Sequence, residues 1–257
     1  AQNDALGYLL WISARFIENE FIRGGSSLLA STENLETLAA VTLAWSLPMR
    51  AKIVSSPRIW EELVVAATTD GRLVAIRLGD GKKLWEKKLG RSIWASPAVG
   101  EDYIVAATAE GALVKLDHRG NVSWKVTPGG EIHSSPACVE ERNLVVFGTN
   151  DGHVNAHALG NGKRVWRFAA GAAVGGSPAV GDDRIYVGAK NGKLYAFAPD
   201  GTLAWQRAIG GEVLSQPLVA GDRIYVTTYA SRLVALEAKD GEPAGEYRAD
   251  SPLYSSP

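Results

Sequence analysis

Few residues in this chain have the type and spacing for chemistry. His153 and His157 stand four apart on a stretch whose alternation predicts a strand. Period two puts them on one face, but about 13 Å apart at about 3.3 Å per residue, too far to share a metal. His118 falls in a turn and is expected to be solvated. Cys138, the single cysteine, follows Pro136 on an expected inner strand and reads as a small packed residue rather than a nucleophile. Its isolation excludes an internal disulfide and any multi-cysteine metal site. Triplets such as Asp80-Gly81-Lys82 suggest phosphate loops, yet no helix follows to supply a dipole, so they read as hairpin turns. No catalytic group and no metal site is expected.

The elements that carry these residues repeat. Prolines 57, 97, 136, 178, 217 and 257 are spaced 40, 39, 42, 39 and 40 residues apart. Each of the first five ends a short Ser-rich lead and is followed by an apolar run. A first x-Gly turn recurs as Asp70-Gly71, Glu110-Gly111, Asp151-Gly152 and Asn191-Gly192, then degrades to Ala230-Ser231. A second recurs as Asp80-Gly81, Arg119-Gly120, Asn161-Gly162, Asp200-Gly201 and Asp240-Gly241. An aromatic closes each unit, at Trp45, Trp85, Trp124, Trp166, Trp205 and Tyr247. Apolar runs joined by such turns are antiparallel strands, because Gly and Asp tolerate the positive φ of tight hairpins. Four short strands cannot bury both of their faces alone. Radial stacking into a β-propeller covers them, and a period of about 40 fits one blade. The chain is therefore expected to be all-β, with five continuous blades at about 51–88, 91–126, 131–168, 172–208 and 212–249.

Residues 1–25 do not fit the repeat and read as an N-terminal extension with a helical alternative. Residues 26–257 form the expected propeller. Within it, 26–47 reads as a worn copy of the unit that lacks a Ser-Ser-Pro lead, and Leu253–Pro257 supplies a lead with no blade after it. This mutual deficit predicts a sixth blade, closed by pairing the C-terminal strand with the N-terminal segment; the rival is a piece of a larger ring. Closure would hide two sheet edges that otherwise invite edge-to-edge association. A net charge of −1 gives no drive toward nucleic acid or anionic membrane, and no run of 18 apolar residues exists to span a bilayer.

The Ser-Pro lead, the x-Gly hairpin, the Ala-rich third strand and the Gly-Lys-x-x-Trp end, best seen in Ser55–Trp85 and Ala158–Trp166, resemble the pyrroloquinoline-quinone (PQQ)-like propeller repeat. The resemblance implies that the terminal aromatics dock between neighbouring blades, with Tyr247 the departure. A buried Trp hides about 150–250 Å², which at ~25 cal/mol/Å² is an upper bound of about 4–6 kcal/mol for each joint. The resemblance also implies an exported or periplasmic setting, and relatives that act as protein scaffolds or sensors. Quinone-dependent enzymes of the family look longer and carry features missing here, such as an adjacent Cys pair.

The functional expectation is a non-enzymatic scaffold that uses the connections between blades to bind a protein. Variable loops on a rigid frame are where binding concentrates. Glu131, His133, Glu212, Asp250 and Tyr254 are the candidate interaction residues. No cofactor is expected. The alternative is a binder of PQQ with calcium or another small ligand, either a sensor or a quinoprotein-like enzyme. Arg50, Lys52, Arg91 and Trp94 would serve it, because PQQ is a flat tricarboxylate suited to cations and an aromatic face. A further alternative is a structural module of a longer polypeptide.

Overall fold

The computed structural model describes residues 43–257 except 182 and 254. The expected extension 1–25, the strands expected at 27–32 and 35–41, and Tyr254 lie outside the described residues.

Among the described residues, twenty strands form five sheets of four, each a simple antiparallel meander. Blade 1 holds β1 (Arg58–Trp60), β2 (Leu63–Ala67), β3 (Arg72–Arg77) and β4 (Lys83–Lys88). Blade 2 holds β5 (Ala98–Val99), β6 (Ile104–Ala107), β7 (Leu113–Leu116) and β8 (Val122–Val126). Blade 3 holds β9 (Ala137–Val139), β10 (Leu144–Thr149), β11 (His153–Ala158) and β12 (Arg164–Ala169). Blade 4 holds β13 (Ala179–Val180), β14 (Ile185–Gly188), β15 (Lys193–Phe197) and β16 (Leu203–Ala208). Blade 5 holds β17 (Leu218–Ala220), β18 (Arg223–Thr228), β19 (Arg232–Glu237) and β20 (Pro243–Arg248). All five expected units are present.

The two central strands of blades 1 to 4 are buried on both faces, which is why they read as near-continuous apolar runs. The outer strands alternate between exposed and half-buried positions. The core is a series of joints. Val114 and Leu116 of blade 2 pack on Leu73 and Ala75 of blade 1. Tyr195 and Phe197 of blade 4 pack on Val154 and Ala156 of blade 3. Val234 and Leu236 of blade 5 pack on Leu194 and Ala196 of blade 4.

Each joint is closed by the terminal Trp of one unit. The indole N–H of Trp45, Trp85, Trp124, Trp166 and Trp205 donates to the carbonyl of Leu78, His118, Leu159, Pro199 and Ala238, at 2.7, 2.8, 2.9, 2.9 and 3.1 Å. Every acceptor lies at the second turn of the following blade. The glycine of that turn is doubly required. Gly81, Gly120, Gly162, Gly201 and Gly241 have φ of 70, 83, 71, 90 and 71°. A Cβ on any of them would also sit only 2.5–2.9 Å from the docked indole. Tyr247 has no such seat among the described residues and is 65% exposed.

Residues 43–47 form no strand, yet Trp45 docks on blade 1 as an outer-strand Trp would, with Leu47 and Met49 beside it on Val64, Val74 and Ile76. At the other end, the Gln216 N–H donates to Ser256 Oγ at 3.1 Å, and Thr227 Oγ1 donates to the Ser255 carbonyl at 2.7 Å. The C-terminal lead thus lies against blade 5 where the first strand of a next blade belongs.

His118 departs from expectation. Its turn is pressed against Trp85, and its ring is half-buried, with Nε2–H donating to the Gly100 carbonyl at 2.8 Å.

Candidate interaction face and axial channel

The leads build the site. Four residues before each lead proline stands an aliphatic anchor. Ile93, Ile132, Val174 and Val213 are fully buried, whereas Ile53 and Leu253 are half-buried. The next residue varies: it is exposed at Val54, Trp94 and His133 and half-buried at Gly175 and Leu214. Trp94 is 50% exposed and Val54 46%. Six aliphatic anchors, four of them fully buried, and a changing next residue make a rim whose chemistry alters from blade to blade.

Below the rim the leads are stitched to one another. The main-chain N–H of Ser56 donates to Ser96 Oγ, that of Ser96 to Ser135 Oγ and that of Ser135 to Ser177 Oγ, each at 2.9 Å. In blade 5 Gln216 replaces the serine, and its Nε2 donates to the Pro178 carbonyl at 3.0 Å. A cavity of about 700 Å³ is lined by Ser56, Ser96, Ser135, Ser177, Gln216 and Ser256, and among its described lining residues Arg58 has the only ionisable side chain. Because every described blade contributes a lead, this cavity is axial.

The connections before each lead lie beside the first hairpin turns. Main-chain N–H groups of Thr69, Ala109, Asn150, Lys190 and Tyr229 donate to the carbonyls of Lys52, Ser92, Glu131, Ala173 and Glu212, at 2.8–3.1 Å. Lys52 and Glu212 are thereby pinned through their backbone while their side chains stay exposed. The Arg91 N–H donates to a Glu110 carboxylate oxygen at 2.6 Å. Burial raises the pKa of Glu110, but main-chain donors led by Arg91, together with its guanidinium charge, outweigh burial and hold the carboxyl below its usual range. Glu131 accepts from Asn150 Nδ2 at 3.1 Å and lies 3.8 Å from His133 Nε2. Asp250 is exposed. Arg50 borders a small pocket of about 80 Å³ with Asp70, Arg72 and Glu86, and Lys52, Arg91 and Trp94 are not among that pocket's lining residues.

The remaining reactive types are committed to structure. Burial pushes the Cys138 thiol up to about 12, so it stays protonated at neutral pH. His153 Nδ1 sits 3.2 Å from Asp151, which also accepts from Arg167 at 2.9 Å. Among the described residues, no group of three or more His, Cys, Asp or Glu side chains could hold a metal ion. No helix among them is long and apolar enough to cross a membrane. Sequence reasoning singled out Trp94, His133 and Tyr254 but missed Val54 and Leu214; counting three residues back from each lead proline would have found both.

Five meander sheets joined edge to face by Trp and turn glycine define a β-propeller of PQQ-like repeats. The chain matches the model of the family described as outer membrane protein assembly factor BamB over residues 24–92, 72–151 and 150–254, and it belongs to that family. Among solved structures it is similar to BamB from Moraxella catarrhalis, at 20% identity and a TM-score of 0.71, covering 82% of this chain and 69% of that one. It is similar to the C-terminal WD40 domain of Sif2, at 17% identity and a TM-score of 0.73, covering 83% and 66%. It is also similar to the computationally designed Ika8 protein, at 14% identity and a TM-score of 0.73, covering 80% and 65%. The chain thus spans about two thirds of the length of each, and likeness at such identities shows the fold alone. A search of curated proteins gave no match.

Proposed function

We propose that this chain is a non-enzymatic scaffold that holds a protein partner on its rim face, in a periplasmic setting where outer membrane proteins are assembled. The observation that carries this reading is the rim itself. Fixed aliphatic anchors present Val54, Trp94, His133 and Leu214 at one register, on blades whose backbones are locked to each other. Lys52 and Arg91 give one sector of the rim positive charge, and Glu212 and Asp250 give another negative charge. Propellers host many activities, and the family description supports assembly work over catalysis. The sixth, shared blade belongs to the same reading: the seat of Trp45 on blade 1 and of Ser255–Ser256 on blade 5 supports it.

The test is photo-crosslinking from single positions in cells. Probes at Trp94 and Leu214 on the rim should trap a defined partner, and probes at Glu141 and Arg142 on the opposite face should not. Trp94→Ala and Glu212→Lys should each lower recovery of that partner severalfold. Equal trapping from both faces, or unchanged recovery with both variants, overturns the reading. The ligand alternative is decided by thermal unfolding with PQQ and calcium. A specific ligand at 100-fold over its Kd adds about 2.7 kcal/mol, and that gain should vanish in Arg91→Ala and Trp94→Ala if those residues hold it.

A further inference from the structure

The joint between blades 2 and 3 breaks the pattern of the others. The third and fifth residues after each first turn face the preceding blade. Across the blades the third is Val74, Val114, Asn155, Tyr195 and Val234, and the fifth is Ile76, Leu116, His157, Phe197 and Leu236. Only blade 3 presents an amide and an imidazole. Asn155 is 1% exposed and His157 4%. Tyr195, the other polar member, is satisfied: its hydroxyl donates to the Ala170 carbonyl at 2.9 Å.

The blade 2 side of the joint is unusual as well. The fourth position, which faces the following blade, is Ala75, Ala156, Ala196 and Ala235 in four units but Lys115 in blade 2. Lys115 is buried, with Nζ 3.7 Å from Asp102 and 5.6 Å from the centre of the Tyr103 ring. Tyr103 reaches across the joint and donates to Glu140 at 2.6 Å.

The chemistry of His157 follows from its one partner. Nδ1 lies 2.8 Å from the Gly162 carbonyl, which only accepts, so Nδ1 carries the proton. Nε2 is then a bare acceptor, and both it and Asn155 Oδ1 are buried without a protein partner among the described residues. A buried acceptor that takes up a proton becomes a buried charge, which a low-dielectric joint resists. The Gly162 carbonyl offsets part of that charge, but among the described residues no carboxylate pairs with the ring. The Phe147 ring lies tilted against it, with centroids 5.4 Å apart. Arg164 adds like charge, Lys115 faces the joint from β7, and Cys138 on β9 is a neutral thiol. The carboxylates of this joint have partners of their own: Asp102 lies by Lys115, and Glu140 accepts from Tyr103.

We propose that the joint between blades 2 and 3 is a proton-sensitive joint of the ring, at which protonation of His157 loosens the packing of blade 3 on blade 2. Burial depresses the imidazole pKa; the Gly162 carbonyl opposes that shift, and Arg164 adds a smaller depression. A depressed pKa means stability that is fully present above the ordinary value of about 6.5 and lost as pH falls below it.

The experiment is hydrogen exchange on the full chain at pH 7.5 and 5.5, with protection corrected for the intrinsic rate at each pH. Linkage to one proton predicts that protection of β7, β8 and β11 falls about tenfold, while that of β15 and β19 does not. His157→Leu, which installs the residue found at positions 116 and 236, should abolish the difference. A separate NMR titration of the wild-type imidazole should give a pKa below about 6.5. Equal protection at the two pH values, equal loss at every joint, or persistence of the effect in His157→Leu would overturn the proposal.

Discussion

Gly162 shows how much one residue carries. Its φ of 71° is strained for any side chain, and a Cβ would lie 2.9 Å from Trp124. Gly162→Ala should therefore destabilise the chain by more than the ~1 kcal/mol of an αL penalty alone, because the indole must also shift. Trp124→Ala should cost about 3–5 kcal/mol, and the pair should be non-additive, since both changes strike one contact. Chemical denaturation of the two single variants and the double variant measures this. Full additivity would show that the turn and the indole are not coupled. The sequence displayed a turn glycine 35 to 38 residues after each Trp, and the family resemblance implied that the Trp docks between blades, but that the glycine is its seat came only from the structure. The carbonyl each indole chooses was not readable either, because it depends on where the turn of a neighbouring blade falls in space. His118 was misjudged for the same reason: a polar residue in a turn reads as solvated unless one knows that Trp85 covers that turn.

At the scale of the element, the lead is more than a way into a strand. The serine before its proline accepts a main-chain N–H from the blade before it, at Ser96, Ser135 and Ser177. Ser135→Ala removes the acceptor for Ser96 N–H and should cost about 0.5–1.5 kcal/mol. Ser135→Thr, which keeps the hydroxyl, should recover part of it in thermal unfolding. If alanine has no effect, the stitched leads contribute nothing to stability. The period of about 40 revealed the serines in sequence, but not that they bond to each other, since nothing in a repeat states the direction of a contact between copies. The variable residues of the rim were only partly legible. Trp94 and His133 stand out by type, whereas Val54 and Leu214 look like ordinary apolar residues until their anchors are seen to be buried beside them.

At the scale of the molecule, the far face of blade 5 is less covered than that of blade 4 among the described residues. Leu218 and Tyr247 are exposed there, and Tyr225, Leu233 and Ala235 are half-buried, although their counterparts Ala179, Tyr186, Leu194 and Ala196 in blade 4 are buried. On the reading that residues 26–42 help complete a sixth blade, deleting them should bare this face, lower the melting temperature and cause self-association in sedimentation experiments. An unchanged monomer with an unchanged melting temperature would sink that reading. The number of blades was the least legible feature of the sequence. Each joint is specified locally, by a Trp, a turn and a lead, and a local rule can be applied any number of times.

The indole bonds also impose an order in time. Each Trp reaches forward along the chain, by 33 residues at Trp45, Trp85, Trp166 and Trp205 and by 35 at Trp124. A ribosome delivers the Trp before it delivers the acceptor. Every blade must therefore wait, with its closing aromatic bare, until most of the next blade has emerged, and maturation proceeds as a wave lagging one unit behind synthesis.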